Sequence, residues 1–96
     1  MISREDFIFT IGYDGGTAIV DGKAKAKYGK LDTEGLATAG LYRAAFASAL
    51  FSDKPEDLNA FATIFNAKAG TAYSTKEEFQ RLFGVKMDIV KRTLVL

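Results

Sequence analysis

Residues 11–30, IGYDGGTAIVDGKAKAKYGK, pack five glycines and four lysines into twenty positions. The fold turns on how this stretch is read: a glycine loop whose lysines hold a phosphate, or two strands joined by a turn. A phosphate loop of the Walker type needs Gly, four residues, then Gly-Lys-Ser/Thr, between a strand and the helix it opens. Here five residues separate Gly16 from Gly22-Lys23, and Ala24 stands where the Mg²⁺-binding hydroxyl belongs. No G-x-G-x-x-G dinucleotide fingerprint occurs either.

The hairpin reading has positive support. Phe7, Phe9, Ile11 and Tyr13 alternate with Ile8, Thr10 and Gly12, and the alternation resumes at Thr17 with Ala18, Val20, Gly22, Ala24, Ala26 and Tyr28 on one side. Period-two alternation is the pattern of half-buried strands, and Asp-Gly between two such runs favours a tight hairpin turn. With Asp14-Gly15 as the loop, Tyr13 faces Gly16, Ile11 faces Ala18, Phe9 faces Val20 and Phe7 faces Gly22. The apolar faces then coincide, and a loop centred on Gly15-Gly16 preserves the same parity.

Downstream, Asp32 is placed to cap a helix, with Leu31 and Leu36 forming a hydrophobic staple. From Leu36 to Phe51 only Arg43 is charged, as in a central helix buried on most sides. Asp53-Lys54-Pro55-Glu56 reads as cap, first turn and capping-box acid of a second helix that stops at Gly70. A third begins at Ser74 or Thr75 and ends near Gly84. In the tail, Val85, Met87 and Ile89 alternate as in a strand, but Ile89-Val90 shifts the phase, leaving residues 86–93 open to strand with a bulge or helix. The expected class is α+β: an N-terminal β-hairpin, three helices and a C-terminal strand completing a small, mainly antiparallel sheet with helices on one face. One domain spans residues 1–96.

Composition closes several chemistries. The chain has no cysteine and no histidine. It therefore lacks the thiolate nucleophile, the usual general base near neutral pH and the commonest transition-metal ligands. Thirteen basic and twelve acidic side chains leave a formal charge of +1, too little for a global field that draws in nucleic acid or anionic membrane. MISREDFIF lacks the apolar core of a secretion signal, and no run reaches the roughly 20 apolar residues of a membrane span. A soluble, cytoplasmic protein with no metal or cofactor is expected.

Four local features remain. Lys23, Lys25 and Lys27, with Tyr28 and Lys30 nearby, form a one-sided ladder if the segment is a strand. Such a ladder holds a phosphate backbone or keeps an edge strand from pairing, and Asp6 and Asp21 lie close enough to neutralise part of it. Residues 76–94 resemble a degenerate helix-turn-helix, with Phe79, Phe83, Gly84-Val85 and Val90 in the apolar positions and Lys86, Lys91 and Arg92 set to touch phosphates. Gln80 and Thr93 depart from that pattern, and a helix followed by a strand explains it equally. Arg43, beside Tyr42, either marks an anion site, extends its stem to the surface or pairs internally with an acid. The acidic pairs Glu56-Asp57 and Glu77-Glu78 fall in first turns, where they complement helix dipoles. The leading expectation is a non-enzymatic protein-interaction module whose sheet edges are covered by a protein partner or by self-association. Nucleic-acid binding is the alternative, and small-anion binding near Arg43 the second.

Overall fold

The computed structural model describes residues 2–85 and 90–96. The class is α+β: an N-terminal hairpin, helices, and a C-terminal strand in a three-stranded mixed sheet. Contacts gather the chain into two compact units, residues 1–30 with the C-terminal segment, and residues 31–86.

The first unit opens with α1 (Arg4–Ile8), where alternation alone predicts strand. Ser3 accepts the Asp6 N–H at 3.2 Å, and Glu5 and Asp6 place negative charge at the positive end of the helix dipole. Phe7, Ile8 and Phe9 are all buried, a pattern that a strand with one wet face cannot produce. The expected first strand is thus shortened to β1 (Thr10–Asp14), which pairs antiparallel with β2 (Thr17–Val20).

The loop is Gly15-Gly16, since Asp14 faces Thr17, Tyr13 faces Ala18 and Gly12 faces Ile19. This register replaces the one drawn on Asp14-Gly15 and keeps its parity only from Gly12 to Asp14; beyond a bulge Thr10, not Phe9, faces Val20, so Thr10 is buried and Ile11 is exposed. Gly15 takes φ 60°, the positive φ that a two-residue hairpin needs at its first central position. Between Thr10 and Gly12 the register shifts, making Ile11 an extra, bulged residue.

The second strand also ends early. The chain turns at Asp21, whose Oδ1 accepts the Ala24 N–H at 3.2 Å, into α2 (Gly22–Tyr28). Alternating Ala and Lys are strong helix formers with no β-branched residue among them, and once Asp21 caps the turn that propensity outweighs the period-two pattern. β3 (Arg92–Val95) then lies parallel to β2, with Thr17 opposite Arg92, Ala18 opposite Thr93, Ile19 opposite Leu94 and Val20 opposite Val95. Residues 86–89, half of the ambiguous segment 86–93, lie outside the described residues.

In the second unit the expected helix over Leu36 to Phe51 is two helices, α3 (Thr33–Thr38) and α4 (Tyr42–Ser52). Asp32 caps α3 as expected, its Oδ1 accepting from Gly35 N–H at 2.7 Å. The break is a Schellman stop. Gly40, at φ 82°, donates to the Ala37 carbonyl, and Leu41 donates to the Leu36 carbonyl. Across the break, Thr33 Oγ1 and Ser48 Oγ share a buried hydrogen bond of 2.9 Å.

Asp53 ends α4 in the left-handed conformation instead of capping the next helix. That helix, α5 (Pro55–Ala69), starts from Lys54 without a side-chain cap. Gly70 stops α5 at φ 69°, and Asn66 holds the loop beyond it by donating to the Tyr73 carbonyl and accepting from Thr71 Oγ1, both at 2.7 Å. Six helices are therefore present among the described residues, where three were expected.

α6 (Lys76–Phe83) begins in a full capping box. Thr75 Oγ1 accepts the Glu78 N–H, while Glu78 Oε1 accepts the Ser74 and Thr75 N–H groups at 3.1 Å each. The Ser74 and Thr75 backbone donors, aided by the Thr75 hydroxyl, hold the Glu78 carboxyl below its ordinary value. A depressed carboxyl pKa stabilises the fold above the unfolded value and loses that contribution as pH falls through the folded one. We expect the Ser74 and Thr75 amide signals to titrate with a midpoint below that of an ordinary glutamate. That titration should vanish in Glu78→Gln.

A candidate interaction surface

The lysines do not form a ladder. On α2, at about 100° per residue, Lys23 and Lys27 share a face and Lys25 points to the opposite one. Lys25 is paired with Asp6 at 2.6 Å. Lys27 lies over the Tyr28 ring, 5.2 Å from its centroid, a cation–π arrangement. Arg4 donates to the Gly29 carbonyl at 2.9 Å, placing a cation at the C-terminal end of α2. Lys23, Lys27 and Lys30 are exposed. Asp6 neutralises Lys25, as expected, but through a helix, and Asp21 is engaged as the α2 cap. With no strand at 22–28, the edge-protection reading of these lysines lapses.

Arg43 is exposed, not enclosed by the apolar helix that carries it. Its Nε donates to the Phe83 carbonyl at 3.3 Å, at the C-terminal end of α6, where the helix dipole favours a cation. Tyr42 sets its ring edge-on to Phe65 at 5.3 Å. Each group is thus committed to structure: Arg43 to the end of α6, Tyr42 to Phe65. The helix-turn-helix reading fails at its second helix, because Arg92–Val95 is strand. Of its phosphate contacts, Lys86 lies outside the described residues.

The feature composition did not flag is the surface of β3. The sheet order β1-β2-β3 makes β3 an end strand, and Leu94, Val95 and Leu96 are 52%, 46% and 68% exposed. Arg92 and Leu96 donate their N–H groups to the Gly16 and Val20 carbonyls on the β2 side. Alternation along the strand therefore turns the N–H and C=O of Thr93 and Val95 to the open side. Opposite residues in a parallel pair share a face, so Leu94 extends the face of Ile19, and Arg92 that of Thr17, to whose Oγ1 it donates at 2.8 Å. Thr93 and Val95 continue the face of the fully buried Ala18 and Val20.

The opposite edge is different. β1 carries the Ile11 bulge and ends on Asp14, and a bulge and a charge both discourage further strand pairing. A C-terminal strand was expected, but only the sheet order shows that it is an end strand, with no further strand beside it among the described residues.

Among the described residues, no three acidic, His or Cys side chains gather as a metal site requires. No described helix is long and apolar enough to cross a membrane. Compared with family models, curated proteins and solved structures, the chain matches none.

Proposed function

We propose that this chain is a non-enzymatic protein-interaction module, working in the cytoplasm, that binds by accepting an additional strand along β3. The observation that carries this reading is the open β3 edge, with outward N–H and C=O groups on Thr93 and Val95 beside exposed Leu94, Val95 and Leu96. Strand addition uses such an edge for main-chain affinity and the alternating side chains for specificity. The lack of histidine and cysteine supports a binding role over a catalytic one.

A blocked peptide copying residues 90–96, VKRTLVL, tests it on the isotope-labelled chain. Saturable amide shifts are expected at Thr93 and Val95. Thr93→Pro should abolish them, because it removes an outward donor while the N–H groups turned toward β2 keep their partners. Shifts elsewhere, or shifts that survive Thr93→Pro in a folded variant, would overturn the reading.

A further inference from the structure

We infer that the strand added to β3 is β3 of a second copy, running antiparallel, with Leu94 facing Leu94 of that copy across a two-fold axis. The inference rests on the strand-addition reading above and names the partner.

Hydrogen bonding gives the first argument. In an antiparallel pair, residues whose N–H and C=O both point across exchange two bonds with the residue opposite. β3 offers Thr93 and Val95 in that orientation. An axis through Leu94 sets Thr93 against Val95 of the second copy and, by symmetry, Val95 against Thr93. All four residues are then paired, and Leu94 meets its twin at the close, non-hydrogen-bonded position. The arrangement is isologous and closes on itself, joining two three-stranded sheets into one whose remaining edges are the bulged β1 strands.

Charge selects the orientation and, together with the pairing of Thr93 and Val95, the register. Residues 90–96 contain Lys91 and Arg92 at one end, Leu94-Val95-Leu96 at the other, and no acid. Parallel in-register pairing stacks Arg92 beside Arg92, a like-charge contact that destabilises a sheet. The antiparallel axis at Leu94 places Arg92 opposite Leu96 and separates the two Arg92 positions by four residues, about 13 Å along the seam. Moving the axis to Thr93 halves that separation and sets Lys91 against Val95. The register through Leu94 therefore keeps the apolar ends together and the cations at the outer ends. On the same face, half-buried Ile19 and Leu94 of one copy continue into Leu94 of the other, covering Leu94, which is 52% exposed in one chain alone.

The chain has no cysteine, so a single introduced thiol reports the register. Opposite residues at a non-hydrogen-bonded position lie about 4.5 Å apart between Cα atoms, within disulfide range. Thr93 to Thr93 and Val95 to Val95 are diagonal neighbours at about 7–8 Å, outside it. Under mild oxidation with diamide, Leu94→Cys should form covalent dimer at least about tenfold faster than Thr93→Cys or Val95→Cys at the same concentration. The unmodified chain should sediment as a dimer at high micromolar concentration, and Thr93→Pro should return it to monomer.

Dimer whose fastest cross-link is at Thr93 or Val95 overturns the register. A clean monomer overturns the second copy as partner, while the strand-addition reading stands if the VKRTLVL peptide still shifts Thr93 and Val95. If that peptide produces no such shifts, both fall. Leu94 is half exposed, so its replacement leaves the sheet's buried face intact.

Discussion

Phe79→Ala is expected to cost about 3–5 kcal/mol, the range for emptying a fully buried phenylalanine site, and to undock α6. Phe79 is wholly buried and is the one buried residue on α6 among those described. Its ring meets Phe61 edge-on at 4.9 Å and lies within 6 Å of Phe46, Phe65 and Tyr73. Edge-to-face pairs contribute beyond the area they bury, so the loss exceeds the transfer of one ring to water. Small domains have only about 5–15 kcal/mol in total. Guanidinium unfolding followed by near-ultraviolet dichroism should show a lowered midpoint and a weaker aromatic signal. Leu82→Ala, on the same helix but 47% exposed, should stay within about 1 kcal/mol of the parent. Equal losses from the two variants would refute the aromatic cluster as the anchor of α6.

Gly22→Ala is expected to detach the end of β3, although alanine at a helical position is ordinarily stabilising by about 1 kcal/mol over glycine. A Cβ on Gly22 would collide with the Leu96 carbonyl oxygen and would lie 2.9 Å from Val95 Cγ1. The oxygen belongs to the backbone and cannot swing aside as a side-chain tip can. Overpacking of this kind costs about 1–3 kcal/mol, so the clash outweighs the propensity gain. The bond from Leu96 N–H to the Val20 carbonyl, 2.9 Å long, should break first, and loss of hydrogen-exchange protection at Leu96 is its signature. Gly12→Ala is the control, since a Cβ there meets nothing within 4 Å. Peptide binding at β3 should weaken in Gly22→Ala and persist in Gly12→Ala. Retained protection at Leu96 in Gly22→Ala would contradict the packing of α2 against the strand end.

Capping chemistry is legible at four positions and misleads at Asp53, which ends α4 instead of capping α5. Asp32, Thr75 with Glu78, Gly70 and Gly84 all cap the helices they were expected to cap. Period-two alternation was less reliable. It continued upstream through Phe7 and downstream through the Ala-Lys segment, and both turned out helical. The signals that could have separated the cases were present: Ser3 with Asp6 as a cap, and a run of Ala and Lys without β-branched residues behind Asp21. The candidate site suffered most from that confusion. Lys23, Lys25 and Lys27 owe their apparent alignment to a strand that ends at Val20, and on α2 Lys25 points away from the face that Lys23 and Lys27 share.

By itself the sequence determined the α+β class, the presence of the hairpin, and the start of α3, the end of α5 and both ends of α6, because capping and turn preferences act within four or five residues of chain. It also determined which catalytic groups are absent. Only the tertiary structure decided that β3 joins β2 in parallel and stands at the end of the sheet, with Thr93 and Val95 turned outward. That pairing joins residues seventy-five positions apart, such as Arg92 and Thr17. It is chosen by the burial of Ala18 and Val20 on one face and by the close passage of Gly22 at its end, and neither is visible in a local window. The proposed binding edge is a product of that long-range choice.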